Sequence, residues 1–234
     1  MASAVGGYLE RWSFWLFALC CLAVVGYGFS FTVDENLLHA AKPRPLILWA
    51  HAIVFSAWLL LFLAQATLVR TRQIRWHRSL GAAGVALGFA VIVVGIWASI
   101  TMGHLHVLDG SKRSERFLVV PIGDIVSFTV LFAAAVMTRA RSDYHRRFMF
   151  LATCALTSAG WGRFPEAMVP DEWFEAFVSV LVLIGVLRDL VVMHRVHRAY
   201  LIGWPILLAI QGFEMYTYLN ASPWWMAIAH RLIG

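Results

Sequence analysis

Charge is scarce in this chain of 234 residues: Asp, Glu, Lys and Arg together make up 14%, against 61% hydrophobic residues and a mean hydropathy of +0.73. Soluble domains average about 25% charged and about 45–50% apolar residues, so the composition excludes an ordinary water-soluble globule. Cysteine is scarcer still. Cys20, Cys21 and Cys154 form neither a disulfide framework nor a CxxC metal spacing, and they read as apolar filler. Segments of about ten alternating residues, the mark of a membrane β-barrel, are missing as well. Basic tails are missing too, so the net charge of +6 is no nucleic-acid footprint. The arginines lie in short loops, where the positive-inside rule accounts for them.

What is present is a series of apolar runs of the length needed to cross a hydrocarbon core of about 30 Å. They predict an all-α polytopic membrane protein forming one integral-membrane domain over 1–234. Seven spans are expected, near 12–31, 46–69, 78–101, 117–138, 147–164, 174–193 and 199–219. The N-terminal run has no clear cleavage site and reads as a retained first helix. The final "SPWWMAIAHRLIG", residues 222–234, is too short to span, and 223–234 reads as an interfacial segment. Twelve Lys and Arg fall on the face bearing the N-terminus and seven on the other. This bias predicts the N-terminus in the cytoplasm and the C-terminus outside, in a bacterial inner (plasma) membrane.

A recurring element marks where helices begin. "IRWHRSLG" (74–81), "SDYHRRFM" (142–149) and "RVHRAYLI" (195–202) each carry His-Arg near an aromatic residue. Spans 2–3 and 4–5 can be overlaid as two copies of one hairpin, with 6–7 a looser third. His77, Arg78, His145, Arg146, His197 and Arg198 then lie at the cytoplasmic surface and read as membrane-surface anchors, attracted to anionic lipid. A cytoplasmic-face metal or haem site built from these histidines is the sharper alternative. On span 3, Gly81, Gly84, Gly88, Gly95 and Ala98 make a stripe of small residues that lets neighbouring backbones approach closely.

Ionisable groups inside apolar runs cost a few kcal/mol unless they pair or line a cavity, so they point to function. His51, Asp124 and Glu214 all fall roughly 7–11 Å below the outer edge by helical rise. Glu175 opens span 6, and Arg163 closes span 5 at the same level. His51, Phe55, Trp58, Phe62 and Gln65 share one stripe, and Gln211, Glu214 and Tyr218 another. His51, Asp124 and Glu214, capped from outside by His104 and His106, form the candidate metal or haem pocket, with Arg163 as charge partner. Three readings compete for it: a packing network of ion pairs, a metal or haem b site with Fe or Zn, and a proton or substrate pathway.

The run "WHRSLGAAGVALGFAVIVVG", preceded by His51, resembles uncharacterised bacterial multi-pass inner-membrane proteins built on an H…HRxLG hairpin, and "YHRRFMFLATCAL" looks like a related element. The resemblance covers residues 46–160. It implies a membrane family and supplies no reaction. Better understood groups fit less well. The only lysines, Lys42 and Lys112, are in loops, which excludes an opsin-type Schiff base. The last span offers Gln211 and Glu214 where seven-helix zinc hydrolases place a His pair. HxxHH clusters are missing, and only His51 is clearly intramembrane, where a b561-type cytochrome would need His pairs deeper in facing helices. The expectation is a metal- or haem-assisted redox role at an outward-facing pocket. The alternatives are a non-catalytic subunit or assembly factor docked to partner subunits, and a small proton-coupled transporter.

Overall fold

The computed structural model describes residues 2–234, with side chains from residue 7 onward. The described residues form helices and no strands: α1 (Ala2–Ser30), a single π-helical turn (Asp34–Leu38), α2 (Leu46–Arg70), α3 (Ile74–Leu108), α4 (Ser114–Phe117), α5 (Val119–Met137), α6 (Ser142–Ala155), α7 (Ser158–Trp161), α8 (Phe174–Met193), α9 (Arg198–Leu219) and α10 (Pro223–Ile233). Local chemistry sets several boundaries. Extended Pro45 precedes α2 and Pro223 sits in the first turn of α10, where a missing N–H costs nothing. Past the end of α2, Arg72 turns the chain with φ of 61°, and His194 ends α8 with φ of 54°, left-handed conformations that stop a helix.

Five helices are long and apolar enough to cross a membrane: Gly7–Ser30, Leu46–Arg70, Ile74–Leu108, Ser114–Met137 and Phe174–Met193. Two expected spans look different. The stretch expected at 147–164 breaks into α6 and α7 at Leu156–Thr157, and Phe150 to Ser158 is buried throughout. Such a broken segment is tolerated in a bilayer when protein rather than lipid surrounds it. In the stretch expected at 199–219, α9 has 22 residues but carries Pro205 and buries Gln211, Glu214 and Thr217. Apolar side chains such as Ile53, Leu60, Phe89, Val93 and Leu187 point outward, as a lipid-facing surface requires.

Large aromatic rings and small residues alternate inside. Trp58 on α2 meets Phe128 and Phe132 on α5 at centroid distances of 4.9 and 5.5 Å, while Phe17 on α1 stacks on Phe150 of α6 at 4.7 Å. Of the span 3 stripe, Gly84, Gly88, Gly95 and Ala98 are buried. A Cβ at Gly88 would fall 2.3 Å from the Phe132 ring, and one at Gly95 would fall 2.5 Å from Ile125, so the packing reading holds. The tightest approach is α1 against α7, where a Cβ at Gly28 would lie 2.1 Å from the Gly160 carbonyl oxygen. Because backbone cannot rotate aside, Gly28→Ala should cost about 3 kcal/mol, the upper end for overpacking. Gly26→Ala, with nothing within 4 Å, is the neutral control, both read as thermal unfolding in detergent.

The C-terminal segment forms an amphipathic helix, but its apolar face is covered by the chain itself. Trp225, Ala229 and Ile233 are buried, Trp225 Nε1 donates to the Glu115 carbonyl at 3.1 Å, and His104 Nδ1 donates to the Ile233 carbonyl at 2.8 Å.

His197 takes a specific part in the fold. Its Nδ1 accepts from the Ala199 N–H at 3.1 Å, capping α9, and its Nε2 donates to Asp143 Oδ2 at 3.0 Å. Burial pushes its pKa below the ordinary 6.5, against the pull of Asp143. A base with a lowered folded pKa contributes stability fully above 6.5, and loses it as pH falls through the folded value. Acidification should therefore cost about 0.5–2 kcal/mol, the worth of a helix cap. In unfolding curves taken at a series of pH values, His197→Gln should remove this slope.

Candidate functional site

Three carboxylates converge between α5, α8 and α9. Asp124, Glu175 and Glu214 are all buried, and one oxygen from each lies within 4.8 Å of the others. Their positions follow from helix geometry. Asp124 lies in the second turn of α5 and Glu175 in the first turn of α8, while Glu214 follows Gln211 by one turn on the buried face of α9. Gly123 makes the approach possible, because a Cβ there would fall 2.2 Å from Glu214 Cδ.

Hydrogen bonding satisfies this cluster only in part. Ser158 Oγ donates to Asp124 Oδ2, and Gln211 Nε2 donates to Glu175 Oε2 at 2.7 Å. The buried oxygens Asp124 Oδ1, Glu175 Oε1, Gln211 Oε1 and both Oε of Glu214 have no partner. Two unit charges at this separation repel by roughly 3–4 kcal/mol even at an effective dielectric of 20. Three ionised carboxylates in such a place demand compensating positive charge. Among the described residues no ion pair reaches them.

Asp124 and Glu214 thus meet as the sequence suggests, but the other expected members stand elsewhere. Arg163 is not their charge partner. Its guanidinium donates to the Ala159 carbonyl and lies 4.0 Å over the Phe29 ring, because the turn after α7 carries it towards α1. His51 stacks on Phe55, one turn along α2, at 4.0 Å and is not among the clustered ligands. His104 is engaged with the end of α10, and His106 is exposed near the C-terminal end of α3. Helical rise gives depth but not azimuth, so residues at one level need not face one another. Glu175 is the member the sequence reading left out of the pocket, because helical rise puts the start of span 6 at the edge and not at the depth of the other two.

A second buried polar centre lies at the opposite end of α8, against α6 and α1. Arg147 is wholly buried and holds Asp189 with two bonds, Nε to Oδ2 at 2.7 Å and Nη2 to Oδ1 at 2.6 Å. Arg188 adds a third, Nη1 to Oδ1 at 2.9 Å, and reaches Ser13 on α1 at 3.2 Å. Sequence counting places both arginines among cytoplasmic surface charges; the structure puts them inside. On α8, Glu175 and Asp189 are fourteen residues apart, close to four turns, so one face carries both centres about 21 Å apart. Between them lie Leu151, Val178, Val182 and Leu207, all fully buried, which makes a dry separation.

An exposed pair joins the loop before α2 to the end of α3. Lys42 Nζ lies 2.5 Å from Asp109, and its hydrogen bond holds the Asp109 pKa below the usual carboxylate value. An exposed pair of this kind contributes little to stability.

No family model matches the chain, and no characterised protein or solved structure matches it either. The site therefore has to be read from its own chemistry.

Proposed function

We propose that the protein spans a bacterial plasma membrane seven times, N-terminus inside, and exchanges a divalent cation against protons at Asp124, Glu175 and Glu214. This is the chemistry of a small proton-coupled carrier. The observation that carries the reading is the convergence of three buried carboxylates with unpartnered oxygens and no cationic side chain to neutralise them. An all-oxygen donor set, extended by the Gln211 amide oxygen, suits hard cations such as Mg²⁺, Ca²⁺ or Mn²⁺. Haem would call for an axial imidazole, thiolate or thioether, and zinc sites are mostly built with imidazole or thiolate; the cluster has none, so a redox role narrows to a carboxylate-bound metal. The dry stretch between the two polar centres, closed at the inner end by Arg147 and Asp189, supports a site open to one side at a time.

The test is a Mn²⁺ titration of the purified full chain followed by electron paramagnetic resonance, where bound ions lose the free six-line signal. One ion per chain is expected in the wild type, competed by Ca²⁺ or Mg²⁺ and lost in Asp124→Asn/Glu214→Gln. Equal Mn²⁺ uptake by wild type and double variant would overturn the reading.

A further inference from the structure

The repeated His-Arg element leaves one arrangement that the carboxylate centre does not explain. His77, in the first turn of α3, and His145, in the first turn of α6, bring their rings together at a centroid distance of 6.4 Å, nearly perpendicular at 80°. These are the matching residues of the two better copies of the sequence element. They stand at the far end of α5 from Asp124: Ala135, whose carbonyl touches His145, is eleven residues along that helix, or about 16 Å.

The hydrogen bonds fix which nitrogens are free. His145 Nδ1 lies 2.8 Å from the Ala135 carbonyl oxygen. A carbonyl only accepts, so Nδ1 carries the proton and Nε2 keeps its lone pair. An imidazole oriented by a backbone carbonyl through one nitrogen is the usual state of a metal-ligating histidine. His77 Nδ1 is buried without a hydrogen-bond partner, and so is Gln65 Oε1 on α2. The Gln65 amide lies against α3 one turn beyond His77, its Nε2 3.7 Å from where a Cβ of Gly81 would stand.

The neighbouring cations turn away from this spot. Arg146 lies over the Phe14 ring at 5.1 Å, Arg141 over Tyr144 at 4.0 Å and Arg70 over Trp12 at 4.1 Å. Arg78 is exposed, where solvent screens it. The histidines of the two elements therefore meet while Arg146 engages an aromatic ring elsewhere and Arg78 is exposed to solvent.

The geometry points to a transition-metal site at the N-terminal face of the bundle, with His145 Nε2, His77 Nδ1 and Gln65 Oε1 as ligands. Two imidazoles and one amide oxygen suit a borderline divalent ion such as Zn²⁺, Ni²⁺ or Cu²⁺. Metal–nitrogen bonds of about 2.0–2.1 Å would draw the rings together by roughly an ångström, within reach of a rotamer adjustment. The site joins the α2–α3 hairpin to the α5–α6 hairpin and leaves coordination positions for water.

Cu²⁺ added at one equivalent to the full chain in detergent tests this by electron paramagnetic resonance. An axial signal with hyperfine splitting from two imidazole nitrogens is expected. His77→Gln and His145→Gln should each weaken binding by more than about tenfold, while His104→Gln/His106→Gln leaves it unchanged. A signal indifferent to His77 and His145 would overturn the assignment. A second measurement needs no variant: Zn²⁺ should protect His77 and His145, but not exposed His104, from diethyl pyrocarbonate. Uniform labelling with and without Zn²⁺ would contradict it.

Discussion

Replacing Asp189 by leucine should destabilise the protein more than any other single substitution in the bundle. The carboxylate is the shared acceptor of Arg147 and Arg188, both deeply buried, and without it two guanidinium groups are left in a low-dielectric interior. Removing one partner of a buried pair costs about 3–5 kcal/mol, because the remaining charge is stranded. Arg147→Met should fall at the lower end of that range, since Arg188 still faces Asp189. The double variant Arg147→Met/Asp189→Leu should lose less than the sum of the two, with a coupling of about 1–3 kcal/mol in a double-mutant cycle. Thermal unfolding in detergent reads all four corners. Additive losses below about 1 kcal/mol each would mean that the pair is solvated in the folded protein.

The carboxylate centre should behave in the opposite way. Asp124→Asn/Glu214→Gln removes repulsion while keeping shape, so without divalent ions the double variant should unfold at or above the wild-type temperature. Wild type should gain about 2.7 kcal/mol when Mn²⁺ is present at a hundredfold excess over its dissociation constant, and the variant should gain nothing. A destabilised variant that still responds to Mn²⁺ would place the ion elsewhere. The contrast between the centres follows from their composition. At the Asp189 centre two guanidinium groups surround one carboxylate; at the Asp124 centre, three carboxylates face no described cation.

Much of this was legible in the sequence, for reasons visible in particular residues. Helical character and five apolar helices follow from long hydrophobic runs, since burial in lipid acts on composition. The small-residue stripe of α3 and the inward faces of Trp58, Phe62, Gln211 and Glu214 follow from a 3.6-residue period. Depth was legible as well: Asp124 and Glu214 lie at one level and meet. Rotation about α2 was not, nor was the turn after α7, so His51 stacks on Phe55 and Arg163 on Phe29 instead. Arg147 and Arg188 look like ordinary loop-end charges, and only the packing of α6 against α8 and α1 reveals that they are enclosed. The break at Leu156–Thr157 had no proline or glycine to announce it. A local bond and a tertiary one mark it: Thr157 Oγ1 donates to the Cys154 carbonyl at 2.7 Å, and Ser158 Oγ donates to Asp124 on α5.

The central claim is that positive charge is exchanged at Asp124, Glu175 and Glu214. Calorimetric titration of Mn²⁺ into the full chain, in buffers of different ionisation enthalpy, counts the protons released per ion bound. At least one proton per Mn²⁺ is expected near neutral pH, abolished in Asp124→Asn/Glu214→Gln. Mn²⁺ binding with no proton released, or with the same release in the double variant, would contradict the account.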